Sequence, residues 1–372
     1  MSDPEDYGYH PAQPPMRGDA PRLAYLPPRP ARYRPRIGLI GAGGITSHHL
    51  RNYRAMQLDV AAICDVQLAR AEQRRAEFYP EADVFQDYRD VLARRDIEVV
   101  DVATHPEPRG EIIEQALRAG KHVLSQKPFV LDLDVGLRLA DLADRQGVRL
   151  AVNQNGRWAP HFSYIRQAIR QGVIGAVSSI DFSLQWDHTW TAGTPFEEIH
   201  HLLLFDFAIH WFDIACAFLD GAQPQRVYAA VQRAVNQRMK PPMLASATID
   251  FPGAQVSLSL NGHAIHGEED RTVVCGSHGT LRAVGPNVNC QTVTLWTKEG
   301  QAVPRLEGRW FDNGFQGTMG ELLQAIEEGR APSHDARGNL RSLELCFAAT
   351  ASADRGTPVV PGTVRRIGSG TA

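Results

Sequence analysis

Three polar side chains interrupt the apolar run that begins at Leu202. In EEIHHLLLFDFAIHWFDIACAFL, Glu197 to Leu219, Asp206 and His210 stand four residues apart and Asp213 three further on. On a helix, residues four apart share a face and those three apart lie on a neighbouring row. An imidazole oriented by a carboxylate is a suitable general base near neutral pH. Polar groups on an apolar helix need partners, and a site is one source of them. Satisfied core or interface histidines are a second reading. A metal centre is a third, because His188, His200, His201, Asp206 and His210 are all ligand types. No H-E-x-x-H or comparable spacing occurs here, so no metal is expected.

Another reactive group is Lys127, in AGKHVLSQKPFVLDLDVG. It follows an apolar run that reads as a buried strand and precedes Pro128, which places its ammonium at the carboxyl edge of a sheet. A lysine held there can hydrogen-bond a substrate hydroxyl and stabilise developing alkoxide charge. Without that context, a Lys-Pro pair reads as a solvated loop.

The stretch RIGLIGAGGITSHHL, Arg36 to Leu50, runs from a short apolar strand over a glycine cluster into a helix. Gly41, Gly43 and Gly44 let the chain turn tightly and expose bare N–H groups to a pyrophosphate at the helix N-terminus. The pattern is G-x-G-x-x-T, with Thr46 in the place of the third glycine. Ile45 in the turn, Thr104 at the end of the DVAT strand, Gln126 and Lys127 are assigned to the same cofactor. Asp65 ends the second strand, 22 residues beyond Gly43. A carboxylate there accepts hydrogen bonds from the adenosine ribose and repels a 2′-phosphate, so NAD is expected over NADP. Capping of the helix that begins near Gln67 is the other role open to Asp65.

The elements that must position these groups follow from periodicity. From Arg36, short apolar strands alternate with amphipathic helices: IGLIG, HHLRNYRAM, VAAICD, LARAEQRRAEF, and so on to VRLAVN. That alternation predicts crossover units and a parallel sheet, which binds ligands at the carboxyl ends of its strands. Beyond residue 154, VSSIDFSLQW, RVYAAVQRAV, LASATIDF, AQVSLSLNGHA, DRTVVCGS, GTLRAV and CQTVTLWT alternate at period two between turn residues and predict a second sheet. Nine of the 24 prolines fall in the first 35 residues. This segment predicts an extended arm, either a disordered tail or a semi-rigid strap on a neighbouring subunit. The expected organisation is an arm over 1–35, a dinucleotide-binding domain over 36–153, and a substrate-binding and oligomerisation domain over 154–372.

The 372 residues exceed a single core, and the net charge of -3 gives no reason to expect nucleic acid or an anionic membrane as partner. Apolar runs such as Leu202 to Phe205 are far too short to span a bilayer. The start, MSDPEDYGYH, is acidic and without an apolar signal region. Five scattered cysteines with no C-x-x-C pair suit reduced thiols, so the expected location is cytoplasmic.

Several motifs in order make the chain similar to the glucose-fructose oxidoreductase and inositol dehydrogenase family, Gfo/Idh/MocA, over roughly residues 36 to 360. They are GAGGIT with ICD after it; AGKHVLSQKP where the family has an AGKHVLCEKP-like segment; NGRWAPHF and QGVIGAV; DFAIHWFD for D-x-x-x-H-x-x-D; and the region from ELLQAIEEG to LELCFAATASADRGTPV. The resemblance implies an α/β Rossmann domain followed by an α+β domain on a large, open, predominantly antiparallel sheet, with the active site between them. It maps the family's catalytic lysine, aspartate and histidine to Lys127, Asp206 and His210. In members that oxidise sugars or polyols, the histidine accepts the hydroxyl proton, the aspartate orients it and the lysine assists. The chain departs from the family at Gln126, where a glutamate is usual; at Arg109, where a histidine is frequent; and at His200, His201 and LLLF, which replace a glycine-rich approach.

Arg157 and Trp158 follow the last Rossmann strand, where the family places residues that reach substrate. Trp186, Asp187, His188 and Trp190, with His200 and His201, complete a polar and aromatic lining. Tryptophans stack on sugar faces while Asp and His hydrogen-bond hydroxyls, so the expected substrate is a sugar, glycoside or cyclitol. The expected activity is NAD-dependent hydride transfer at a CH–OH carbon. Transient oxidation of a glycoside on tightly bound NAD, or NAD-responsive binding without catalysis, are the other classes. Family sheets of this kind pack between subunits, so a homodimer or homotetramer is expected.

Overall fold

The computed structural model describes residues 19–367. Residues 1–18 of the predicted arm lie outside them.

Eleven elements alternate through the first domain: β1 (Arg36–Ile40), α1 (Thr46–Ala55), β2 (Asp59–Cys64), α2 (Leu68–Phe78), β3 (Asp83–Phe85), α3 (Tyr88–Ala93), β4 (Ile97–Val102), α4 (Pro106–Arg118), β5 (His122–Ser125), α5 (Leu133–Gln146) and β6 (Leu150–Val152). The six strands are parallel, in the order β3-β2-β1-β4-β5-β6. Helices cover both faces, which is why Ile37, Leu39, Val99, Val100, Val123 and Leu124 are all fully buried and the strands read as continuous apolar runs. The order reverses between β1 and β4. The crevice at their carboxyl ends is therefore the natural ligand site of this sheet.

The second domain contains α6 (Pro160–Arg170), β7 (Val177–Gln185), α7 (Ile209–Phe218), β8 (Arg226–Gln232), β9 (Leu244–Phe251), β10 (Ala254–Asn261), β11 (Glu269–Gly276), β12 (Gly279–Asn287), β13 (Cys290–Thr297), β14 (Gly300–Ala302), α8 (Trp310–Glu327) and α9 (Ala336–Arg355). Its eight strands run β14-β13-β12-β11-β7-β10-β9-β8, with β7 and β10 parallel and every other pair antiparallel. Ile180, Phe182 and Leu184 on β7 are about 1% exposed and point to the helices, while their neighbours along the strand face outward. Both terminal helices return to the first domain: α8 packs on α1, and α9 packs on α5. Leu133 N–H donates to Arg365 O and Ile367 N–H to Leu131 O, tying residues 365–367 to the same domain.

Two expectations change. The arm from residue 19 lies on its own chain: the Glu327 carboxylate accepts from the amides of Ala31, Arg32 and Tyr33 at 2.6, 2.7 and 3.2 Å, and Tyr164 Oη donates to Pro21 O. A proline-rich segment has few amides to pair, and one carboxylate at the end of α8 collects three of them. The stretch from Glu197 is also not one helix. A 3₁₀ turn (Pro195–Glu198) is followed by a π-helical turn (Leu203–Phe207), and α7 begins only at Ile209. A π turn inserts extra residues per turn, so Asp206 and His210 lose their simple four-residue alignment. Among the described residues no helix is long and apolar enough to cross a membrane.

Candidate functional site

At the end of β1 the chain turns through Gly41, at φ +98°. A Cβ there would sit 2.8 Å from the Ala103 carbonyl group, so the position needs glycine twice over. At Gly43 and Gly44 a Cβ would meet nothing within 4 Å. Among the described residues, no group accepts from the amides of Gly43, Gly44 and Ile45. Open space over unpaired N–H groups at the start of α1 fits a dinucleotide pyrophosphate. Asp65 is buried at the end of β2, where Oδ2 accepts from Ala42 N–H and Oδ1 from Gln67 N–H, both at 2.8 Å. It braces the glycine turn and the lead-in to α2 without capping that helix, and each oxygen keeps a further lone pair for a ribose. Thr104 Oγ1, past the end of β4, is buried without a partner.

Lys127 emerges beyond β5. Its Nζ donates to Asp206 O and to Asp206 Oδ1, each at 3.0 Å, and both side chains are less than one-fifth exposed. Asp206 therefore pairs with the lysine, not with His210 as expected from the helical spacing; the π turn is what aims it across the cleft. His210 has its Nδ1 enclosed without a partner, while the ring remains partly exposed. Burial, with the Lys127 ammonium nearby, pushes its pKa well below the ordinary histidine range. It is neutral at neutral pH, the state a proton acceptor needs.

Trp186 and His188 come to the same segment. Their rings stack at 4.9 Å with 15° between planes, and Phe207 meets His188 edge-on at 4.5 Å. From Trp186 the ring series continues through Trp211 at 5.1 Å and Trp310 at 5.5 Å to His210 at 5.7 Å. Burial pushes the His188 pKa down to about 4. This gives a half-buried aromatic wall with neutral imidazoles.

Arg157 and Trp158 are placed differently from the expectation. Arg157 donates to both carboxylate oxygens of Asp213 at 2.5 and 2.7 Å and to Ser333 O; its side chain is 8% exposed. Ser342 also donates to Asp213, at 2.9 Å. Trp158, 2% exposed, lies beneath Arg166 and against His334. Both belong to the packing of α6, α7 and α8, and little of either side chain is open to a substrate. His200 and His201 converge on Asp354 near the end of α9. Cys346, which approaches the Leu204 and Phe205 carbonyls, lies eight residues earlier, about 12 Å along the helix.

Sequence reasoning missed the scaffold under Lys127. His49, fully buried, holds Asp101 Oδ2 with Nδ1 at 2.6 Å, and Tyr53 Oη donates to the same oxygen at 2.7 Å. The amides of Gln126 and Asn153 each approach His49 Nε2 at 3.3 Å. Gln126 Oε1 accepts from Lys127 N–H at 2.7 Å, which fixes the amide orientation and makes its NH₂ the donor to His49. Gln126 is thus engaged on both sides within the protein, and the departure from glutamate has a structural account: Nε2 of His49 needs a donor. Arg109 does not line a pocket either. Buried to 1% exposure, it donates to the carbonyls of Thr104, Gln126 and Pro128, and desolvation pushes its pKa down to about 9. Arg74 donates to Gly43 O at 3.2 Å and ties α2 to the glycine turn. One signal was present: Asp101 is a charge inside the apolar strand IEVVDV, and such a group requires buried partners.

Two family profiles match in tandem. "Oxidoreductase family, NAD-binding Rossmann fold" covers residues 35–154, and "GFO/IDH/MocA C-terminal domain" covers 162–282. Over 327 residues the chain is 26% identical to an inositol 2-dehydrogenase of Rhizobium meliloti (strain 1021), spanning 85% of this chain and 96% of that one. It is 26% identical over 347 residues to a D-apiose dehydrogenase of Paraburkholderia graminis, covering 86% and 88%. In fold it is similar to a scyllo-inositol dehydrogenase from Lactobacillus casei solved with NAD(H) and scyllo-inositol, with a TM-score of 0.76 at 21% identity over 89% of this chain and 100% of that one. The cradle over Gly43, the two-sheet architecture and both profiles agree: the chain is an NAD-binding oxidoreductase and belongs to the Gfo/Idh/MocA family.

Proposed function

We propose that this enzyme oxidises a CH–OH carbon of a sugar, glycoside or cyclitol, with Lys127 and His210 at the reacting hydroxyl. The observation that carries the reading is the Lys127–Asp206 pair, 3.0 Å, at the carboxyl edge of the parallel sheet beside a neutral, partly exposed His210. Two N–H bonds of the Lys127 ammonium go to Asp206. The third is left for a substrate hydroxyl, which it orients and whose negative charge it stabilises as the O–H bond breaks. His210 takes that proton on Nε2, the nitrogen not enclosed. Burial, and then the Lys127 ammonium, disfavours the imidazolium, so the proton passes on to solvent. NAD, when bound, supplies the hydride acceptor; Gly41, Gly43, Gly44, Ile45, Asp65 and Thr104 would hold it, with Gln126 setting the Lys127 backbone beside it.

The wall of Trp186, His188 and Phe207 supports a ring-shaped polyhydroxy substrate, since aromatic faces pack on C–H surfaces while imidazoles meet hydroxyls. We further assign a homodimer or homotetramer. The outward face of the eight-stranded sheet carries exposed apolar groups such as Tyr228, 45% exposed. Five free thiols suit a reducing cytoplasm.

Purified chain with NAD, assayed at the NADH absorbance band over monosaccharides, glycosides and inositols, tests the proposal. Net NADH with one class is the expected result. Glycoside consumption without NADH would instead indicate transient oxidation, and wild-type turnover in both Lys127→Met and His210→Ala would remove these residues from the chemistry.

A further inference from the structure

His200, His201 and Asp354 form the one group of three or more His, Cys, Asp and Glu side chains among the described residues whose donor atoms all lie within 4.8 Å of each other. Each histidine brings Nε2 to 2.8 Å from Asp354 Oδ1, with ring centroids 3.9 Å apart. Neighbouring residues on extended chain point to opposite sides. Here they do not, because His201 adopts φ +48°, a left-handed conformation uncommon outside glycine. The backbone is turned so that two imidazoles meet one carboxylate.

We propose that these three residues bind one divalent cation of the zinc type. Two neutral imidazole nitrogens and a carboxylate oxygen are a zinc donor set, with a fourth position left for water. Bonds of 2.0–2.2 Å in a tetrahedron separate donor atoms by about 3.3 Å. The present 2.8 Å separations must therefore open by about half an ångström. His200 and Asp354 have roughly half-exposed side chains and can move, whereas His201, 8% exposed, is held by packing. Without a cation, two N–H donors share one oxygen. His201 Nδ1 is buried with no partner to orient it, so affinity should fall about 10–100-fold below that of a fully braced site.

The cation would clamp the segment that leads, five residues on, to Asp206 against the end of α9. It lies about 12 Å along α9 from Cys346, whose thiol meets the Phe205 carbonyl next to Asp206, so its proposed role is that of a clamp on this segment.

The test uses the full chain, stripped with chelator and desalted, with Zn²⁺ titrated in competition with a chromophoric chelator. Wild type should take up one equivalent. His200→Ala and Asp354→Asn should each weaken uptake about tenfold or more, while His278→Ala, at a distant loop, should leave it unchanged. Equal uptake by wild type and the first two variants, or no uptake by wild type, overturns the site. Cobalt(II) gives a second reading, free of any folding defect in Asp354→Asn: intense visible bands of a tetrahedral centre in wild type, absent in His200→Ala. Their absence in wild type also overturns it. Neither measurement reads turnover, so the outcome is separate from that of the dehydrogenase assignment.

Discussion

Asp213→Ala separates two meanings of Arg157. The motif position makes Arg157 a substrate ligand; the structure makes it half of a buried ion pair with bonds of 2.5 and 2.7 Å. Removing the carboxylate leaves a guanidinium enclosed with only the Ser333 carbonyl, and also strands the Ser342 hydroxyl. Breaking a buried pair from one side costs about 3–5 kcal/mol, because the remaining charge is desolvated without compensation. For a chain of 372 residues unfolding as one unit, the unfolding entropy converts this to a melting temperature lower by about 4–6 °C. Arg157→Met with Asp213→Leu removes both charges and should recover more than half of the loss. Differential scanning calorimetry of wild type, Asp213→Ala and the double variant, with KM for the identified substrate measured also in Arg157→Met alone, reads the result. A melting point within about 1 °C of wild type in Asp213→Ala, together with a raised KM in Arg157→Met, would refute the structural account and return Arg157 to the pocket.

Gly43→Ala should leave the melting point unchanged, because its Cβ meets no protein atom within 4 Å, yet weaken NAD binding about tenfold or more by filling the space over the turn. Gly41→Ala should instead destabilise the fold, and isothermal titration beside calorimetry distinguishes the two. Lys127→Met and His210→Ala should each lower kcat about 10²–10⁴-fold with NAD affinity retained, measured by nucleotide quenching of tryptophan fluorescence. Stability should fall as pH drops below the ordinary histidine value of 6.5: burial holds His161 and His334 at about 3, so the unfolded chain binds protons that the folded chain refuses. At pH 5 each costs about 2 kcal/mol, with His188 and His210 acting in the same direction. Asp270, pushed up to about 7 by burial, opposes them, because its folded state holds a proton that the unfolded state has lost. Urea midpoints at pH 7 and 5 give the balance, and equal or higher stability at pH 5 would contradict neutral burial of the histidines.

Local pattern carried a large part of this molecule. LARAEQRRAEF is α2 residue for residue, and the period-two runs after residue 176 are strands of the second sheet. Such signals survive because burial of one face imposes its period on the sequence itself. The glycine turn was legible for a similar reason: φ +98° at Gly41 restricts residue type directly.

Partners across the fold were not legible. Nothing in RWAPHF says that Arg157 is matched to Asp213, 56 residues on, or that His49 and not His48 is the enclosed member of its pair. The spacing of Asp206 and His210 implied that one orients the other, until a π turn directed the carboxylate to Lys127, 79 residues away in the chain. His200 and His201 were visible as neighbours, but Asp354 was not, since α9 returns to them only after the whole second sheet has been laid down. By itself the sequence determined which residues could do chemistry and which segments would be strand or helix, because these depend on side-chain type and local period. Tertiary structure alone decided which donor meets which acceptor, because a hydrogen bond or ion pair needs its atoms about 3 Å apart, and only the packed chain sets that distance.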